Sequence, residues 1–272
     1  MIAAKGLAEG AGYRILSLPD QPYQTKYPPV YPLLLSISWK IQPQFPDNLP
    51  IAMTLTWIWL PLYVSLCWLQ FGQFKLRVWE RKILCIAVAV NPVLAFMSAN
   101  LMPEMLFSSL LLASLLLINL ESRSRASLAL PVLAGLLAGI AWLTKSAATP
   151  LLISGPLWYV LRKQYLRAAF FLLSITPPAL LWLSWSLARK PPGKDAATLY
   201  YSDYLRYYFH DVRLEDVPWI LVANSKALLK GIGNLIALAP SEEPFRGVIG
   251  CLLAFLAASG ILRITRNGGW TP

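Results

Sequence analysis

Long apolar runs separated by short charged connections limit most strongly what this chain can become. A membrane crossing needs about 20 predominantly apolar residues, with about 17–25 the usual range. Seven candidates meet or approach that length, at residues 49–71, 83–97, 102–120, 128–144, 147–161, 168–187 and 247–262. The second and fifth are short, so each is expected to cross with little tilt or to be partly re-entrant. Lipid offers the backbone no hydrogen-bond partners, so such runs must satisfy their own N–H and C=O groups as helices. Composition agrees: 14% of residues are charged and 57% hydrophobic, whereas a soluble domain carries about 25% charged residues. The expected fold is all-α, a polytopic transmembrane helical protein of about seven spans.

Charge sets the orientation. Short cytoplasmic loops collect Lys and Arg, and the basic clusters here alternate as that rule requires. Lys75, Arg77, Arg81 and Lys82 lie between the first two runs. Arg123 and Arg125 follow the third, Arg162, Lys163 and Arg167 follow the fifth, and Arg263 and Arg266 follow the seventh. The opposite connections, near Asn100 and Ser146, contribute only Lys145. Residues 1–48 and 189–246 are therefore expected to face outward, residues 49–188 to form a six-span region, and residues 247–272 to form a last span with a short cytoplasmic tail. The formal net charge of +11 is spread among apolar runs rather than gathered in a continuous stripe, which argues against nucleic acid as a partner. Anionic membrane lipid accounts for it more simply.

The two outward segments are where polar chemistry is expected, and neither reads as a globular domain. Residues 28–40 are apolar for only about a dozen positions, which suits an interfacial or re-entrant helix. Tyr200, Tyr204, Tyr207 and Tyr208 fall on one helical face, and tyrosine favours headgroup depth. Residues 219–238 are apolar but interrupted by Asn224, Lys226, Lys230 and Asn234, so a second surface-lying helix is expected there, an eighth span being the alternative. Cys67, Cys85 and Cys251 lack metal-ligand spacing and read as packing residues. Gly135 and Gly139 have the spacing that lets two helices approach closely. His210 is the sole histidine, so no multi-histidine metal site can be built. The acids Asp195, Asp203, Asp211, Glu215 and Asp216 could shape an acceptor site or take a divalent cation, though solvating their loop is the simpler reading. Gly231 and Gly233 lack the third glycine of a dinucleotide fingerprint and follow no strand, so a nucleotide-sugar donor is not expected.

Four stretches carry a resemblance. The run from Ala4 through Lys5-Gly6-Leu7-Ala8-Glu9-Gly10-Ala11-Gly12-Tyr13, followed by Lys26-Tyr27-Pro28-Pro29-Val30-Tyr31-Pro32, resembles the first outer loop of the dolichyl-phosphate-mannose mannosyltransferase-like family. That family includes the bacterial aminoarabinose transferases and belongs to the GT-C membrane glycosyltransferases. Leu101-Met102-Pro103-Glu104-Met105-Leu106-Phe107 and the stretch from Gly135 to Lys145, ending Ala141-Trp142-Leu143-Thr144-Lys145, are similar to it as well. The similarity covers most of residues 1–167 and fades in the second loop. It implies a GT-C-like fold, location in the bacterial inner membrane with the two long loops extracytoplasmic, and transfer of a sugar from a polyprenyl-phosphate-linked lipid to an acceptor hydroxyl. It also implies an aspartate base in an acidic motif upstream of Met1, so no catalytic residue is identified in this sequence and a preceding helix is expected. If Met1 is the start, the alternative is a noncatalytic scaffold; a transporter or flippase of lipid-linked substrates is a third reading, although no internal repeat supports it.

On that resemblance, a leaving phosphate gains negative charge in the transition state, and a cation aimed at it stabilises that state more than the ground state. Lys26 is the first candidate, with Tyr27 beside it, because the following prolines bias the backbone to an extended form near headgroup depth. Lys145 is the second, at the outer end of its run; a snorkelling lysine is the bland alternative. Glu104 is the supporting acid, for acceptor binding, metal contact or holding Lys26; a helix-start glutamate behind Pro103 is its bland alternative. No cofactor is identified for certain, and a divalent cation stays open.

Overall fold

The computed structural model describes residues 1–74, 76–121, 128–190, 199–200, 202–203, 212–234, 248–256 and 258–259. Lys75, Arg123, Arg125, Asp195, Tyr204, Tyr207, Tyr208, His210, Asp211, Arg263 and Arg266 lie outside the described residues, as do parts of the 189–246 and 247–262 segments. Among the described residues the regular secondary structure is helical. The chain divides into one unit of Met1–Val90 with Leu94–Tyr207 and a second of Asn91–Val93 with Tyr208–Pro272.

The first unit begins with a short helix, α1 (Ile2–Ala8), laid against α2 (Val30–Ile41). Ala4, Tyr31, Leu35, Trp39, Ala52 and Leu106 form the buried core beneath them. The connection between α1 and α2 turns at Gly10 and Gly12, whose φ angles of +78° and +84° lie in the left-handed region that residues with a Cβ rarely adopt. Beyond the turn two extended stretches meet at a single bridge between Arg14 and Tyr23. The Ile15 N–H donates to the Pro22 carbonyl at 2.9 Å and the Gln24 N–H to the Tyr13 carbonyl at 2.9 Å.

The apolar runs then become α3 (Leu49–Trp57), α4 (Trp59–Gly72), α5 (Val78–Ala89), α6 (Pro92–Ala99), α7 (Glu104–Glu121), α8 (Ala129–Thr144), α9 (Thr149–Leu161) and α10 (Tyr165–Ala188). Prolines explain two of the interruptions. Pro61 has no N–H to give the Trp57 carbonyl, so the i→i−4 ladder lapses near Ile58, yet α3 and α4 continue as one 24-residue helix. Pro92 likewise divides the expected 83–97 run, and α5 and α6 meet at a 50° bend. Leu49–Gly72 and Tyr165–Ala188 are long and apolar enough to cross a membrane, and the bent pair makes a third if it is one span. Their apolar windows are only 11% and 17% buried inside the protein, leaving side chains such as Leu173 and Leu181 about as exposed as surface charges, at 67% and 70%. Hydrocarbon, not water, is the solvent such faces match. The α2, α7, α8 and α9 helices are apolar but shorter.

Helix α8 is the centre of this unit, packed against α7 on one side and α10 on the other. Ile118, Ala134, Ala138, Leu151, Tyr159, Ala168, Phe171 and Ile175 close the core across α7 to α10. The Ser114 hydroxyl donates to the Ala134 carbonyl at 2.8 Å in that core. Gly135 is where α8 and α10 come closest: a Cβ built there would stand 2.5 Å from the Phe171 carbonyl oxygen and 3.0 Å from the Ser174 Cβ. At Gly139 the nearest atom, in Pro178, would be 3.2 Å away. The close approach expected from the glycine spacing is thus made by α8 against α10.

In the second unit a 3-10 turn at Leu214–Asp216 leads into α11 (Val217–Asn234). Asp216 caps that start by accepting from the Arg213 N–H at 2.9 Å. With Lys226 and Lys230 interrupting it, α11 is not among the helices long and apolar enough to cross a membrane, and the end of the 219–238 run lies outside the described residues.

Candidate functional site

The two motifs of residues 1–48 are joined by one side chain. Tyr13 is 7% exposed, and its hydroxyl donates to the Tyr27 carbonyl at 2.9 Å, with the Pro28 carbonyl at 3.3 Å. Burial pushes the Tyr13 phenol well above the usual tyrosine range, so it remains a donor at any physiological pH. The Gly-Ala-Gly-Tyr turn therefore fixes where Lys26, Tyr27 and Pro28 can lie. The Thr25 hydroxyl donates to the Ser202 carbonyl at 2.6 Å, which ties this loop to the 189–246 segment.

Lys26 follows from that anchoring. Its ammonium nitrogen is buried, 3.7 Å from the centre of the Tyr200 ring and 5.0 Å from that of Tyr27. Both rings offer the negative face of a π-system to the cation. Tyr27 itself is half exposed. Sequence reasoning placed Tyr200 in an interfacial stripe and missed its contact with Lys26; the motif lysine and the start of the tyrosine stripe gave no signal of pairing, because 174 positions separate them.

Glu104 and Lys145 form the second part of the site. Glu104 opens α7 and Lys145 caps the end of α8, and the two helices run antiparallel side by side. Each charge therefore sits at the helix end whose dipole favours it. The Lys145 ammonium donates to Glu104 Oε1 at 2.7 Å, with the side chains 39% and 23% exposed. Glu104 Oε2 is buried and has no hydrogen-bond partner among the described residues. Tyr31 stands nearby, its hydroxyl 2.9 Å from that of Thr56. Burial pushes the Tyr31 phenol up to about 12; the Thr56 hydrogen bond works against that rise and the Glu104 charge adds to it. Of the roles open to Glu104, the ion-pair partner it takes is Lys145, while Lys26 is held between two rings.

No protein-family model, curated protein or solved structure matches the chain. The chemistry open to the chain lies in these side chains. Lys145 has three N–H donors and spends one on Glu104, so two remain for an anion. The unsatisfied carboxylate oxygen of Glu104 can accept from a hydroxyl. One locus thus offers donors for a phosphate beside an acceptor for an alcohol. Among the described residues no three His, Cys, Asp or Glu side chains cluster to hold a metal ion.

Proposed function

We propose that this chain is a GT-C-like membrane scaffold of about seven spans that takes a polyprenyl-phosphate-linked sugar and serves its transfer to an acceptor hydroxyl on the extracytoplasmic side of a bacterial plasma membrane. The observation that carries the reading is the Lys145–Glu104 pair, with donors to spare on one partner and a buried, unsatisfied oxygen on the other. Such an arrangement is costly to leave inside a fold unless a ligand completes it. The joining of the glycine turn to the Lys26-Tyr27-Pro28-Pro29 segment supports the same reading, since the segments that bear the resemblance fold as one piece.

A noncatalytic scaffold is the second reading. It is favoured by the dipole-matched placement of the same ion pair, which stabilises the ends of α7 and α8 without any ligand.

Ligand binding separates the two. The full chain in detergent, titrated with a synthetic polyprenyl phosphate and followed by native mass spectrometry, is expected to bind it at least tenfold more tightly than the uncharged polyprenol. Lys145→Ala and Lys26→Ala should each reduce that affinity about tenfold, the loss expected for one charged hydrogen bond. Equal affinity for phosphate and alcohol, or variants indistinguishable from the parent chain, would leave only the scaffold.

A further inference from the structure

We propose that Arg14, Tyr23 and Arg189 form a separate binding site for the phosphate of an anionic bilayer lipid, at the end of α10. The inference rests on the membrane reading of α10 and is independent of the transferase reading. Tyr23 receives both arginines: Arg14 Nη2 and Arg189 Nη1 each donate to its hydroxyl oxygen at 2.8 Å. Both guanidinium carbons lie close to its ring, 4.0 Å and 4.8 Å from the centre. Two positive charges are thus held on one side chain contributed by chain segments 175 residues apart. Among the described residues no carboxylate pairs with either arginine, whereas the adjacent Lys190 is neutralised by Asp203 at 2.7 Å.

Like charges gathered this way repel, and the arrangement is stable when an anion lies between them. The donors for it are in place. Arg14 spends one further N–H on the Gln21 carbonyl at 3.0 Å, and Arg189 uses only the bond to Tyr23, so several of the ten guanidinium N–H groups stay available. With both lone pairs of the Tyr23 oxygen accepting, its own O–H is left to donate outward. Planar guanidinium forks match phosphate oxygens in pairs.

Surroundings identify the source of that phosphate. Trp182 and Trp185 stack at 5.4 Å beneath the cluster, and Tyr23 meets Trp185 edge-on at 5.7 Å. Tryptophans gathered at the end of a long apolar helix mark headgroup depth, which is where lipid phosphates lie. The neighbouring Leu180, Leu181, Leu183 and Leu187 of the same helix are exposed, an apolar surface for acyl chains around that end of α10. A soluble phosphate ester would have no use for it.

The test compares lipids on the full chain. Native mass spectrometry of the detergent-solubilised protein with phosphatidylglycerol is expected to show retention of that lipid about tenfold above phosphatidylcholine. Arg189→Gln, at an exposed position, should lower phosphatidylglycerol retention about tenfold and leave phosphatidylcholine unchanged. Tyr23→Phe keeps the ring and should give a smaller loss, and helicity by circular dichroism verifies that each variant folds. These variants should leave polyprenyl phosphate binding at Lys145 in place, so failure here and failure of the transferase reading are told apart. Unchanged retention in folded Arg189→Gln would overturn the site. Displacement of phosphatidylglycerol by millimolar inorganic phosphate would overturn the lipid assignment and make a soluble phosphate the occupant.

Discussion

Tyr13 shows how much one hydroxyl can decide. Its hydroxyl bonds the Tyr27 carbonyl from a ring that is itself buried. Tyr13→Phe should lower stability by about 1 kcal/mol, the usual value for a neutral hydrogen bond, read as a drop in the midpoint of thermal unfolding in detergent. Tyr31 gives a prediction in pH. Its folded-state pKa of about 12 lies above the ordinary tyrosine value of 10.0, so at pH below 10 both states keep the proton and the full stability is present. As pH rises from about 10 to 12 the unfolded chain ionises first, and stability is lost across that window. Tyr31→Phe should flatten part of this alkaline loss, measured as unfolding midpoints over the same pH range. The partly exposed Lys145–Glu104 pair is worth about 0.5–1 kcal/mol as an ion pair. Lys145→Ala should therefore cost little stability, so a large loss of lipid binding in that variant would report function and not unfolding.

At the scale of elements, α8 and α10 make the sharpest forecast. Gly135→Ala drives a methyl group against the Phe171 backbone, which cannot yield as a flexible side chain would, whereas Gly139→Ala meets the edge of Pro178. The first should destabilise by about 1–3 kcal/mol, as overpacking does, and the second by clearly less; equal midpoints would mean that the two helices are not packed as described. The glycine spacing announced this contact in the sequence, as apolar length announced the helices. The expected run at 49–71 became Leu49–Gly72 and that at 168–187 became Tyr165–Ala188, because length and hydropathy are local properties. What escaped was long-range. Nothing local says that Lys26 finds the ring of Tyr200, that Glu104 chooses Lys145 over Lys26, or that Arg14 and Arg189 share one tyrosine. Those pairings depend on which helix ends come together, and that is fixed by packing. The motif resemblance did place Lys26, Lys145 and Glu104 among the candidates, and the structure shows the last two in contact.

For the whole molecule, sidedness is the property that ties the loops to their chemistry. The native cysteines Cys67, Cys85 and Cys251 can be replaced, and single cysteines then installed at Ser17 in the first loop and at Lys163 after α9. An impermeant maleimide applied to intact cells should label the first and reach the second only after the membrane is opened. The reverse pattern would turn the first loop toward the cytoplasm and remove it from an extracytoplasmic reaction.

The most direct examination of the central claim is photocrosslinking with a polyprenyl phosphate that carries a reactive group next to its phosphate, followed by peptide mapping on the full chain. Labelling concentrated around Tyr27 or around Lys145, and displaced by unlabelled polyprenyl phosphate, is the predicted result. Labelling confined to the exposed leucines of α10, or unaffected by that competitor, would contradict it and reduce the chain to a membrane scaffold that meets such lipids only as solvent.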